Sequence, residues 1–171
     1  MKEKKINFTI EEMELALDEI INQISQTEWF PELIISINRG GCVPGVYLSH
    51  AINIPHKVID VQLRDEKNKP NLAILENSLI SYTNILIIDD INDTGATFKL
   101  IQHAINKKEL NIYFASLIEN NSSAFKVDFR GKIIDKSLNP SWIVFPWEEW
   151  SGNGIDKPKL IESYEQMDLF N

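Results

Sequence analysis

Residues 85–97 read Ile85-Leu86-Ile87-Ile88-Asp89-Asp90-Ile91-Asn92-Asp93-Thr94-Gly95-Ala96-Thr97, an apolar run that passes into an acidic turn. Four apolar residues in a row, Ile85 to Ile88, predict a buried strand. A polar turn from Asp89 to Thr97 follows. Helical spacing then resumes through Phe98, Ile101, Ala104 and Ile105, which predicts a helix over 97–106. The chemistry lies in the turn. The start of a helix carries unpaired N–H groups and the positive end of its dipole, so it can bind phosphate. Gly95 permits close backbone approach, and Thr94 and Thr97 add hydroxyl donors. Three carboxylates beside such a cradle would repel an anion. A sugar diol or a divalent cation between them removes the conflict, because carboxylates accept hydroxyl hydrogens and Mg²⁺ prefers oxygen ligands. The turn asks for a phosphorylated sugar, with a metal.

On both sides of this stretch, strands and helices alternate. Ile10, Met13, Leu17, Ile20, Ile21 and Ile24 share one helical face, predicting a helix over 10–25, and Thr9 with Glu12 has capping-box form. A short apolar run predicts a strand over 33–37, stopped by Arg39-Gly40-Gly41. A helix is expected over 43–52, with Pro44 in its first turn, and a strand over 56–61. Residues 64–71, RDEKNKPN, are charged and broken by Pro70, and are expected to form a surface loop. Further strands are expected over 112–118 and 142–145. This alternation predicts an α/β fold with a central, mostly parallel sheet flanked by helices. Ligands in such sheets bind beyond the carboxyl ends of the strands, where both polar turns, 38–41 and 89–97, fall.

Bulk properties agree with one ordinary globular domain. The chain has 171 residues, 43% hydrophobic and 25% charged, without a repeat or low-complexity segment. Its net charge of −8 argues against general nucleic-acid binding, which relies on a basic surface. No apolar run reaches membrane-span length, and no secretory h-region follows the N-terminal lysines. A single cysteine, Cys42, excludes a disulfide framework and a cysteine-rich zinc site, and a cytoplasmic location is the simplest expectation. Cys42 reads as a small packing residue. His50, His56 and His103 do not cluster in sequence and are assigned no role.

The motif at 89–97 resembles the signature of the type I phosphoribosyltransferase family: a hydrophobic strand, two acids, a short spacer, then Asp-Thr-Gly and a small residue before Thr. Ala96 stands where glycine is frequent. The stretch from Ser36 to Gly45 resembles the Arg-Gly-Gly pyrophosphate loop of the purine branch. The segment from Trp142 to Glu148 resembles the C-terminal segment of xanthine-guanine and hypoxanthine phosphoribosyltransferases. The resemblance spans about residues 33–149.

The resemblance implies one type I phosphoribosyltransferase-like domain over 1–171, with a core of about 30–119, a small base-binding hood of about 120–150 and a tail of 151–171. It implies a Mg²⁺-dependent enzyme joining a purine-type base to 5-phosphoribosyl 1-pyrophosphate (PRPP). Asp89 and Asp90 would hold the ribose hydroxyls, directly or through the metal. Asp93, Thr94, Gly95, Ala96 and Thr97 would complete the sugar-phosphate site, with Asp93 also accepting a proton from the base. Arg39 and Gly40 would meet the pyrophosphate. Trp142 would stack on the base and Ile143 would offer backbone groups to its edge, whereas Trp147 reads as a core residue. Arg64 and Lys67, in the family's flexible-loop position, are further candidates for the leaving group. A homodimer or homotetramer is implied, with neither nucleic acid nor membrane as partner.

One position departs from the pattern. Asn120 stands where the family usually carries a lysine that reaches the purine 6-oxo group. A neutral hydrogen bond in place of a charged one would weaken 6-oxopurine binding roughly tenfold. Either Asn120 holds such a base more weakly, or it admits another base, or Lys126 reaches in. The last is disfavoured because Lys126 matches a different family position. A non-catalytic PRPP-binding regulatory module and a non-purine acceptor are the alternatives. A phospho-aspartate phosphatase is disfavoured, since it needs an acid two residues beyond its nucleophile and Ile91 follows Asp89-Asp90.

Overall fold

A computed structural model describes residues 4–61, 72–105 and 111–148. The charged segment 64–71, with Arg64 and Lys67, lies outside the described residues, as does the tail. Among the described residues, seven strands and four helices run in the order β1 (Lys4–Asn7), α1 (Ile10–Ser25), β2 (Leu33–Ile37), α2 (Cys42–Ile52), β3 (His56–Ile59), α3 (Ala73–Ser81), β4 (Asn84–Asn92), α4 (Ala96–Ala104), β5 (Asn111–Asn120), β6 (Phe129–Ile134) and β7 (Ser141–Val144).

Five strands form a wholly parallel sheet in the order β3-β2-β4-β5-β6. Period-two alternation sends neighbouring side chains to opposite faces, and each face has its own core. Ile34, Leu86, Ile88, Ala115 and Leu117 pack with Met13, Leu17, Ile20 and Ile24 of α1 and Leu48 of α2. Leu33, Ile35, Ile37, Ile85, Ile87 and Phe114 pack with Leu75 of α3 and Phe98 and Ile101 of α4. Thr9 and Glu12 form the expected reciprocal cap of α1. No described helix is long and apolar enough to cross a membrane.

The strand expected over 85–88 continues to Asn92, so the turn begins at Asp93 rather than Asp89. The reason lies in the neighbour. β5 runs to Asn120 and pairs with Asp89, Ile91 and Asn92, so backbone pairing outlasts the apolar run. Three elements carried little periodic signal and appear only in the structure: β1, α3 and β6. β1 pairs with β7 in a separate two-stranded sheet, in the register Lys5↔Trp142 and Ile6↔Ile143. The expected hood span of 120–150 thus divides between two sheets. β6 completes the main one, and β7 joins a strand from the other end of the chain. Phe8 packs edge-on against Phe145, and Trp147 stacks on Phe145 at 5.0 Å between ring centroids, beside the core as expected.

The strand order reverses between β2 and β4. β2 turns to one side through α2 toward β3, while β4 turns to the other through α4 toward β5. A crevice at the carboxyl ends follows from that reversal.

Candidate active site

The two polar turns meet at this crevice because glycine lets them. A methyl group at Gly40 would overlap the Asp90 carboxylate, and one at Gly41 would lie 2.6 Å from Ile88 O and 2.9 Å from Asp89 Cα. The loop after β2 therefore rests directly on the end of β4, and the Asn38–Arg39 peptide within it is cis. Arg39, exposed, stands at the rim.

A cleft of about 760 Å³ opens here. It brings together every expected sugar-phosphate residue: Arg39 and Gly40 on one side, Asp89, Asp90, Asp93, Thr94, Gly95, Ala96 and Thr97 along its floor. Trp142 and Ile143, on β7, also line it. Trp142 is 38% exposed, whereas Ile143 is buried. Cys42, beside the glycine loop, is half-buried. Burial and then the nearby Asp89 and Asp90 charges push its thiol up, away from thiolate character.

Asp89 and Asp90 sit side by side, and Asp90 N donates to Asp89 Oδ1 at 2.9 Å. Burial, reinforced by the Asp90 charge, raises Asp89 well above the ordinary carboxylate range. Among the described residues no group of three His, Cys, Asp or Glu side chains could hold a metal. Two adjacent hard carboxylates at the start of a polar turn nonetheless suit Mg²⁺, which commonly takes one or two protein carboxylates and fills its shell with phosphate oxygens and water.

The turn is braced from behind. Gly95 has φ +83°, the left-handed conformation that glycine accepts without a Cβ penalty, and a Cβ there would lie 2.6 Å from Phe125. Buried Asn92 donates to Phe125 O at 2.8 Å and accepts from Ser123 Oγ at 2.9 Å. Ala124 N donates to Thr94 O at 3.2 Å. The α4 helix then starts at Ala96, whose N–H donates to Thr94 Oγ1 at 3.3 Å. A phosphate can be received at the 94–97 amides of this pre-formed terminus.

Asn120, at the end of β5, is buried, and its Nδ2 donates to Asp93 O at 3.2 Å and to Asp93 Oδ1 at 3.1 Å. Its Oδ1 accepts from Ser122 N, Ser122 Oγ and Lys136 N. Lys126 does not enter the cleft: its ammonium donates to Asn121 O at 2.7 Å and lies 3.9 Å from Glu119. Lys136 does. It follows β6, lines the cleft, and its Nζ stands 2.8 Å from Asp93 Oδ2. Neither Lys136 nor Asn92 carries a signal in the sequence. Lys136 lies in an irregular connection, and Asn92 falls in the short spacer of the acidic motif. The histidines stay apart: His56 meets Ser36 Oγ at 2.5 Å, His103 meets Lys99 O, and His50 ends α2.

Solved structures share this architecture. A purine phosphoribosyltransferase from Pyrococcus horikoshii is 28% identical, with a TM-score of 0.65 over 90% of this chain and 99% of that one. A Helicobacter pylori xanthine-guanine-hypoxanthine phosphoribosyltransferase is 22% identical, with a TM-score of 0.65 over 93% and 99%. A Neisseria gonorrhoeae protein with bound ppGpp is 18% identical, with a TM-score of 0.67 over 96% and 98%. The last two are similar in fold. The model of the phosphoribosyl transferase domain family matches residues 8–150, a span that takes in both turns, the crevice they enclose and β7. The chain has the type I phosphoribosyltransferase fold and belongs to the phosphoribosyltransferase family of enzymes.

Proposed function

We propose that this protein transfers the 5-phosphoribosyl group of PRPP to a purine-type base, with Mg²⁺, giving a nucleoside monophosphate and pyrophosphate. The observation that carries this reading is one cleft holding three kinds of group. Adjacent carboxylates suit a ribose diol, amides at the start of α4 suit a 5′-phosphate, and an aromatic side chain, Trp142, suits a flat base. The similarity to the Pyrococcus purine enzyme supports a purine acceptor.

In this reaction the bond from the anomeric carbon to the pyrophosphate oxygen breaks, and a bond from that carbon to a ring nitrogen forms. Residues 94–97 anchor the 5′-phosphate and so fix the reacting carbon. Asp89 and Asp90 hold the ribose hydroxyls and would hold the metal, which when bound supplies positive charge beside the leaving pyrophosphate. Arg39 neutralises the same developing charge, and one such preorganised donor is worth about 2.7–4 kcal/mol. Trp142 stacks on the base, and Ile143 presents backbone groups to its edge. Asp93 accepts the ring N–H proton.

The test is a nucleotide-forming assay with protein, Mg²⁺, PRPP and each of guanine, xanthine, hypoxanthine and adenine, following pyrophosphate release. Turnover with a purine supports the reading. PRPP binding without nucleotide formation from any purine overturns it in favour of a regulatory PRPP-binding module or a non-purine acceptor.

A further inference from the structure

Asn120 stands where a base-reading side chain is expected, yet its hydrogen-bonding capacity is spent. Two amide hydrogens are all it has, and both go to Asp93. Its oxygen already accepts from Ser122 and from the backbone of Lys136. Asn120 therefore ties two segments together: the turn after β4 and the connection after β6. The side chain that this tie delivers to the cleft is Lys136.

An ammonium has three hydrogens to donate and cannot accept. One hydrogen of Lys136 points to Asp93 Oδ2, at 2.8 Å. The side chain is 20% exposed and lines the same cleft as Trp142 and Ile143. A base stacked on Trp142 with its proton-bearing nitrogen at Asp93 would thus lie within the neighbourhood of this ammonium. Resting on the phosphoribosyltransferase reading above, we propose that Lys136 selects the acceptor base. Its ammonium requires a carbonyl oxygen on the ring, so the substrates are oxopurines, and aminopurines such as adenine are rejected because an exocyclic amino group also donates.

The position of Lys136 couples recognition to chemistry. Without a base, the ammonium occupies Asp93 Oδ2. A ring carbonyl draws the ammonium onto itself and releases that carboxylate oxygen to accept the ring N–H proton, as the nitrogen bonds to the anomeric carbon and pyrophosphate departs. Adenine turns an amino donor toward Lys136 where an oxopurine turns its carbonyl, so the ammonium stays on Asp93.

The experiment compares wild type with Lys136→Met, which keeps the stem and removes the charge, and with Lys136→Arg. Lys132→Met, which removes an exposed lysine paired with Glu12, is the control. Steady-state rates with guanine, hypoxanthine and adenine are read beside equilibrium binding of GMP, IMP and AMP. A hydrogen bond from a charged donor predicts a KM for oxopurines raised about tenfold to a hundredfold in Lys136→Met, with PRPP affinity retained. The wild-type preference for oxopurine over adenine should collapse by the same factor, and Lys136→Arg should restore part of it. Unchanged oxopurine KM and unchanged preference in Lys136→Met would overturn the inference while leaving the phosphoribosyltransferase reading intact. Should no base turn over, that reading fails and nucleotide binding decides this one. Tighter GMP and IMP than AMP, with the difference lost in Lys136→Met, supports it. Equal binding of all three, or none, overturns it.

Discussion

Asn120 Nδ2 bonds both the backbone oxygen and the carboxylate of Asp93, at 3.2 and 3.1 Å. One neutral side chain at the end of β5 thereby fixes the Asp93 carboxylate at the start of the turn. Truncation in Asn120→Ala leaves Asp93, Ser122 and the Lys136 amide without a shared partner. The expected cost is about 1–3 kcal/mol of stability, read by urea denaturation, because several hydrogen bonds to the half-buried Asp93 and Lys136 are lost together. Turnover should fall further than stability explains, since Asp93 and Lys136 lose their fixed spacing.

Asp93→Asn keeps the size of the side chain and removes its ability to take a proton. PRPP affinity should stay near wild type, because residues 94–97 and the Asp89–Asp90 pair are untouched. Turnover should drop by about 10²–10⁴-fold, the usual worth of a positioned general base. Wild-type rates in this variant, measured by pyrophosphate release, would remove Asp93 from the mechanism.

Gly95 shapes the turn before α4 by its conformation and by lacking a side chain. At φ +83° an alanine is strained by about 1–3 kcal/mol, and its methyl would press on Phe125 from 2.6 Å. Gly95→Ala should lower the unfolding free energy by at least that strain. PRPP affinity, by isothermal titration, should weaken by about tenfold or more as the amides at the start of α4 shift.

Asp89 illustrates a site held at the expense of stability. Burial and the Asp90 charge raise its pKa above the ordinary 3.8. A carboxyl with a raised folded-state pKa favours folding while protonated, and that contribution is lost as pH rises through the folded value. Asp89→Asn should therefore raise the thermal midpoint of the ligand-free protein at neutral pH. The same variant should lose Mg²⁺-dependent PRPP binding, so the two measurements move in opposite senses.

His56 carries the opposite sign. Burial lowers its pKa below the ordinary 6.5, and Ser36 Oγ lies 2.5 Å from its Nε2. The unfolded chain then takes up the proton first, so stability is full above about pH 6.5 and declines as pH falls toward the folded value. Denaturation midpoints across that window should slope upward with pH, modestly because the ring is only half-buried. His56→Gln should flatten the slope.

The central strands of the sheet, the two polar turns and the crevice between them are legible in the order of residues. Continuous apolar runs at 33–37 and 85–88 and the helical faces between them are local signals, legible because burial on two sides demands them. Gly95 and the acids before it are likewise local, since a turn and a helix start are built from neighbours in the chain. The remaining features depend on contacts between segments distant in the chain. β4 continues to Asn92 because β5 lies alongside it, and Lys4–Asn7 is a strand because β7, over a hundred residues away, supplies its partner. The ammonium beside Asp93 depends on the fold in the same way. The sequence showed a missing lysine at 120, and only the folded chain brings Lys136, sixteen residues later, to Asp93. Hydrogen bonds between segments depend on where the sheet carries their ends, and that geometry has no periodic trace in the order of residues.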